Sequence, residues 1–140
     1  MPAIRAARPD DHDGAIQLWR DAAMGTMTEE EWKTVIASPT SVLLVAEDAG
    51  EVVGAAIAAF DGWRAYIYHV AVAPASQGQG LAKALMGDAE ALLAQAGAHR
   101  VFAMVHGDNP NGLALATVMG YELEGDVVAV KELEEPGTAG

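Results

Sequence analysis

Apolar and polar positions alternate along "SVLLVAED", "EVVGAAIAAF" and "AYIYHVAVA", the two-residue rhythm of strands. The first two are joined at Ala49-Gly50 and read as a hairpin, and "DGWR" turns the chain into the third. A further short strand is expected around Ile4, and "RVFAMV" reads as a fifth. Helical spacing takes over elsewhere. Asp10 or Asp11 can cap a helix running to about Ala23, with Ile16, Leu18 and Trp19 toward the core. Thr28, followed three residues later by Glu31, reads as the capping box of a second helix ending near Ser38. Residues 79–96 place Leu81, Leu85, Leu92, Leu93 and Ala96 largely on one side, and Gly97 stops that helix. "NPNGLALATVM" is a short helix ended by Gly120, and "YELEGDVVAVKEL" is expected to form a strand pair around Gly125-Asp126.

The expected order is β-α-α-β-β-β-α-β-α-β-β, an α+β (mixed α/β) fold whose central sheet is mostly antiparallel and flanked by helices. Its 140 residues suit one core, read as a single domain over 1–133 with a disordered tail at 134–140. The apolar tract Val52 to Phe60 is far short of the ~20 residues of a membrane-spanning helix. The charged start "MPAIRAARPDDHDG" does not read as a signal peptide, so a cytoplasmic location is the expectation. There are no cysteines, which excludes disulfides, thiolate metal sites and a cysteine nucleophile; no metal is expected.

Charge changes the picture at one place. The net charge is −12, from 8 basic and 20 acidic residues, which argues against nucleic acid as a partner. Yet Gly62 to Gly87 contains no Asp or Glu, only Arg64 and Lys83. Within that acid-free window lies "VAVAPASQGQGLAKALM", a strand, a glycine turn and the start of a helix. Such turns can cradle phosphates, because amides at a helix start are free and the helix dipole is positive there. It is not a Rossmann fingerprint, since the third glycine would fall at Lys83, and it lacks the Gly-Lys-Ser/Thr ending of a P-loop. Taken alone, Gly-x-Gly is also an ordinary tight turn.

The wider stretch resembles the acetyl-CoA-binding motif of the GNAT superfamily of N-acetyltransferases. That motif is a V-x-P strand end followed by Gln/Arg-x-x-Gly-x-Gly/Ala opening a helix. Here it reads Val72, Pro74, then Gln77, Gly80 and Ala82. A second match is Asn109, followed at the family's spacing by Met119, Gly120 and Tyr121. The resemblance covers residues 3–131 and implies acetyl-CoA as cosubstrate. It implies that backbone groups of Val70, Ala71 and Val72 meet the pantetheine arm, with the Val72 amide polarising the thioester carbonyl. Gln77, Gly78, Gln79, Gly80, Leu81 and Ala82 would take the pyrophosphate, with Lys83 as nearby cation and Asn109 from the second motif. Small side chains there let the backbone approach.

The chain also departs from the family. The tyrosine that many members use to protonate the departing thiolate corresponds to Ala116, and Thr117 points about 100° away on a helix. A thiol of pKa about 8.5 leaves tolerably without an acid, so the absence slows turnover without forbidding it. The glutamate base of many relatives corresponds to Tyr68, a poor base as a neutral phenol. His69 is better matched in pKa, but strand alternation puts Tyr68 and Val72 on one face and His69 on the other. His106 is a further candidate, and a structural role competes for each. The helix 109–119 has no Lys or Arg for the adenosine end.

In the family the acceptor lies over loops corresponding to "MGTMTEEEWK", "FDGWR" and "ELEGD". Trp32 and Trp63 beside Glu29, Glu30, Glu31, Asp61 and Glu124 would suit a cationic amine. Core packing of the tryptophans and a solvated helix start are the competing reading. The expected function is acetyl transfer to a primary amine of a small molecule or peptide. The alternative is a non-catalytic acyl-CoA-binding sensor or regulatory module. Family members often dimerise, so a homodimer is compatible, but nothing in the sequence marks its face.

Overall fold

The computed structural model describes residues 2–134. Five strands form one sheet in the order β1-β2-β3-β4-β5. They are β1 (Ala3–Ala6), β2 (Ser41–Asp48), β3 (Glu51–Phe60), β4 (Ala65–Val72) and β5 (Val101–Ala103). The first three pairings are antiparallel and β4–β5 is parallel. The β2–β3 turn is built on Ala49 and Gly50, both at positive φ (51° and 82°), as a tight hairpin matched to strand twist requires.

Helices α1 (His12–Asp21) and α2 (Glu29–Ala37) cover one face, and α3 (Leu81–Gln95) covers the other. A short helix, α4 (Pro110–Val118), follows β5. Under α3 the sheet presents Ala46, Ala56, Ala58 and Ala65, all buried, so the helix packs close. Gly54 is part of that fit, because a Cβ there would stand 3.0 Å from Leu85 and 3.3 Å from Leu81. On the other face Trp19 and Trp32 are fully buried, each with its indole N–H satisfied by a backbone carbonyl, those of His69 and Arg8.

The α+β architecture with a mostly antiparallel sheet is as expected, and so is the Thr28–Glu31 capping box. Four details differ. Asp11 stands at the N-cap position of α1 but gives it no side-chain hydrogen bond; its carboxylate is held by Arg5 and by the Arg8 amide. Leu92 is 40% exposed, and Met86 and Ala89 complete the α3 core stripe instead. The fifth strand has three residues rather than six. The expected strand pair around Gly125-Asp126 does not form, and residues 121–134 carry no strand. An isolated hairpin is marginal in water, and Val127, Val128 and Val130 are 89%, 70% and 80% exposed, with no packing to support one. The expected tail, 134–140, lies outside the described residues except for Glu134.

Candidate active site

The β4–β5 seam creates the site. The two strands pair only from Ala65↔Val101 to Ile67↔Ala103, and the last bond runs from the Met104 N–H to the Ile67 carbonyl, 3.0 Å. Beyond it they separate. On its other side β4 stays paired with β3 to Val72, and the Ala73 N–H donates to Val53 O at 2.8 Å. Alternation back from Ala73 therefore turns the Val72 N–H toward the opening, while Val70 lies next to the register shift between Tyr68 and Ala71. The Val72 carbonyl is already engaged, accepting from Gln77 Nε2 at 3.0 Å. Ala71 points the other way, into the core beneath α1 and α2.

At the mouth of the opening stands the glycine turn. Gly78 and Gly80 both have φ of 79°, in the left-handed region that glycine tolerates. Gly80 is the N-cap of α3 and brings no side-chain cap, so the first amides of the helix lack a side-chain acceptor. No acid stands in that first turn, and Lys83 does. A Cβ at either glycine would meet nothing within 4 Å, so the space beside the turn is open. A cavity of about 120 Å³ lies here, lined by Val72, Ser76, Gln77, Gly78, Gly80, Leu81, Ala82, Lys83 and Leu115. Unoccupied amides, a dipole end, a cation and open space fit a pyrophosphate. Gln79 is exposed at the tip of the turn and does not line this cavity. Nor does Asn109, whose Oδ1 caps α4 by accepting from the Gly112 N–H at 3.0 Å.

The catalytic candidates need one correction. His69 has φ of 55°, and the β3–β4 register shifts between Ala55 and Ile57. This bulge breaks the alternation on which the sequence reading relied. Tyr68 and His69 now lie on the same side, with ring centroids 5.8 Å apart, while Val70 and Val72 pack toward α3. The bulge is held by Trp19, which donates to the His69 carbonyl at 3.1 Å and meets its ring edge-on at 5.3 Å. His69 Nε2 lies 2.9 Å from the Gly25 carbonyl, in the α1–α2 loop. A carbonyl only accepts, so Nε2 carries the hydrogen, and neutral His69 keeps its lone pair on Nδ1. Burial raises the Tyr68 phenol above its ordinary pKa, so it stays protonated.

Ala116 is buried, and the neighbouring Thr117 hydroxyl is spent on Leu113 O at 3.0 Å. His106 is exposed in the loop before α4. The carboxylates suggested for a cationic acceptor are not gathered into a pocket wall. Asp61 caps its own turn, Glu124 pairs with Arg100, and Glu31 closes its capping box. Trp32 is core, whereas Trp63 is 75% exposed. Sequence reasoning missed Tyr66 and Met104, which with Ala59 and Tyr68 line a second cavity of about 230 Å³ on the His69 side of the sheet. Only the parallel β4–β5 register brings Met104 there.

Residues 4–121 match the acetyltransferase (GNAT) family model. An acetyltransferase of Sodalis glossinidius is 32% identical over 128 residues, covering 89% of this chain and 90% of that one. One from Photorhabdus laumondii is 31% identical over 122 residues, covering 85% of each. Among solved structures, a transcriptional regulator from Bacillus halodurans superposes with a TM-score of 0.83 at 18% identity, over 94% of this chain and all of that one. An aminoglycoside acetyltransferase from a soil metagenomic sample, in complex with sisomicin, gives 0.79 at 19%, over 96% and 97%. The structures share the fold, and the sequence matches carry the assignment: this chain belongs to the GNAT acetyltransferase family.

Proposed function

We propose that the protein is an N-acetyltransferase that moves the acetyl group of acetyl-CoA to a primary amine of a small molecule or peptide by direct attack. The observation that carries this reading is the opening between β4 and β5, beside an acid-free helix start that has no side-chain cap and follows two left-handed glycines. Acetyl-CoA supplies the activated acetyl group as a thioester. The amides of Gly78 to Ala82, with Lys83, would hold its pyrophosphate, and the Val70 backbone its pantetheine arm. The Val72 N–H is the donor available to an oxygen that gains charge as an amine attacks. An amine reacts only after losing a proton, and the Nδ1 lone pair of His69 is the group proposed to take it. Tyr68, held neutral, shapes the wall.

The test is release of CoA, read with a thiol reagent, which meets no background in a cysteine-free chain. With a broad panel of amines, turnover is expected to rise with pH toward the acceptor's own pKa. His69→Gln should lower kcat and leave acetyl-CoA affinity intact. No acceleration by any amine above pH 8 would sink the reading.

The alternative, a non-catalytic acyl-CoA-binding module, is favoured by Ala116 and by the committed Thr117 hydroxyl, which leave no acid at the usual place. It expects a melting-temperature rise with acetyl-CoA, about 2.7 kcal/mol at a hundred times the dissociation constant, and no turnover.

A further inference from the structure

The second cavity opens onto an aromatic shelf that ends in positive charge. Tyr66 stacks on Phe102 with centroids 5.6 Å apart and planes 27° apart. Two guanidinium groups lie over Phe102, that of Arg64 at 5.4 Å and that of Arg100 at 5.1 Å. Arg64 also covers Trp63 at 4.1 Å. Arg100 is spent on Glu124, 2.8 Å away. Arg64, among the described residues, makes no salt bridge and no side-chain hydrogen bond. The acid of its own turn, Asp61, accepts from the Trp63 and Arg64 backbone amides through Oδ1. In a chain of net charge −12, a guanidinium with Asp61 nearby but no carboxylate in direct contact, at the end of an apolar strip, is a complement for an anion.

We propose that Arg64 reads a carboxylate on the acceptor. The ligand lies along β4, its amine beside Tyr68 and His69, its apolar body over Tyr66, Phe102 and Met104, and its carboxylate on Arg64. Tyr68 is four positions along the chain from Arg64, about 13 Å of extended backbone, which is the span of roughly four extended residues. The chemical class is therefore a short apolar peptide with both termini free, or an apolar chain bearing an amine and a carboxylate at that separation. The proposal rests on the acetyltransferase reading only in calling this ligand an acceptor.

Two pairs of probes test it on the full chain: Ala-Phe-Ala-Phe against its C-terminal amide, and 12-aminododecanoate against its amide. Binding is measured by calorimetry with CoA present, and CoA release is measured separately. Each acid is expected to bind about ten-fold or more tightly than its amide, the usual scale of a charged hydrogen bond. Arg64→Gln should bring that ratio close to one, and Arg64→Lys should restore part of it. Preference in the peptide pair alone identifies a peptide, and in both pairs the separation of charges alone. Equal binding of acid and amide, a ratio unmoved by Arg64→Gln, or no binding of any probe in the millimolar range overturns the proposal. Selective binding of the acids without CoA release would leave it standing and overturn the acetyltransferase reading.

Discussion

His69 shows what one residue contributes. A left-handed φ costs a non-glycine residue of order 1–3 kcal/mol, and Trp19 and Gly25 hold it there by hydrogen bonds. His69→Asn keeps a side chain that tolerates this region, whereas His69→Val does not. We expect His69→Val to be less stable than His69→Asn by about 1–2 kcal/mol, measured by denaturant midpoint. Gly80 poses the opposite case. Its Cβ position is open, so Gly80→Val costs the fold only about 1–2 kcal/mol of left-handed strain, but it fills the space beside the turn. Acetyl-CoA should then no longer raise the melting temperature of a protein that still unfolds cooperatively. The glycine turn was legible in the sequence because its residue types and spacing are local. The His69 bulge was not, because a partner fifty residues away, Trp19, holds it. The Arg64 shelf was hidden for the same kind of reason, because Phe102 reaches it from another strand.

Among the elements, the β1–α1 corner rests on one ion cluster. Arg5 donates to both oxygens of Asp11, at 2.7 and 2.9 Å, and to Glu47 at 2.9 Å, so β1, the turn before α1 and β2 are tied together. Arg5 holds the Asp11 carboxyl below its ordinary pKa, and the Arg8 amide adds to this. A depressed pKa contributes stability above the unfolded value, near 4, that is lost as pH falls through the folded one. Asp11→Asn should cost about 1–3 kcal/mol at neutral pH, and its deficit against the parent should shrink below about pH 4 in acid titrations of stability. At the second helix, Thr28→Ala should cost about 1 kcal/mol by removing the acceptor of the Glu31 amide. That cap was readable because the box is four residues long. The last strand pair was misread because Val127 to Val130 has strand composition, and composition does not say whether a neighbour exists to pair with.

At the scale of the whole molecule, the fold was legible because each strand and helix carries its own period and the hairpin turn its own residues. The candidate site was legible only in its backbone half, the glycine turn and the free amides of the helix start. The side chains lining the second cavity come from β3, β4 and the residue after β5, and only the parallel β4–β5 register brings Met104 to the others. That short register has a consequence for motion. A sheet seam of three paired residues leaves the outer amide of β4 at Val72 without a partner, so Val72 should exchange its hydrogen with solvent far faster than Ala71, which faces β3. A ligand laid in the opening would act as the strand the sheet lacks. Deuterium uptake with and without acetyl-CoA should show Val72 slowing markedly while Ala71 hardly changes, which would make the ligand a structural part of the sheet as well as its substrate.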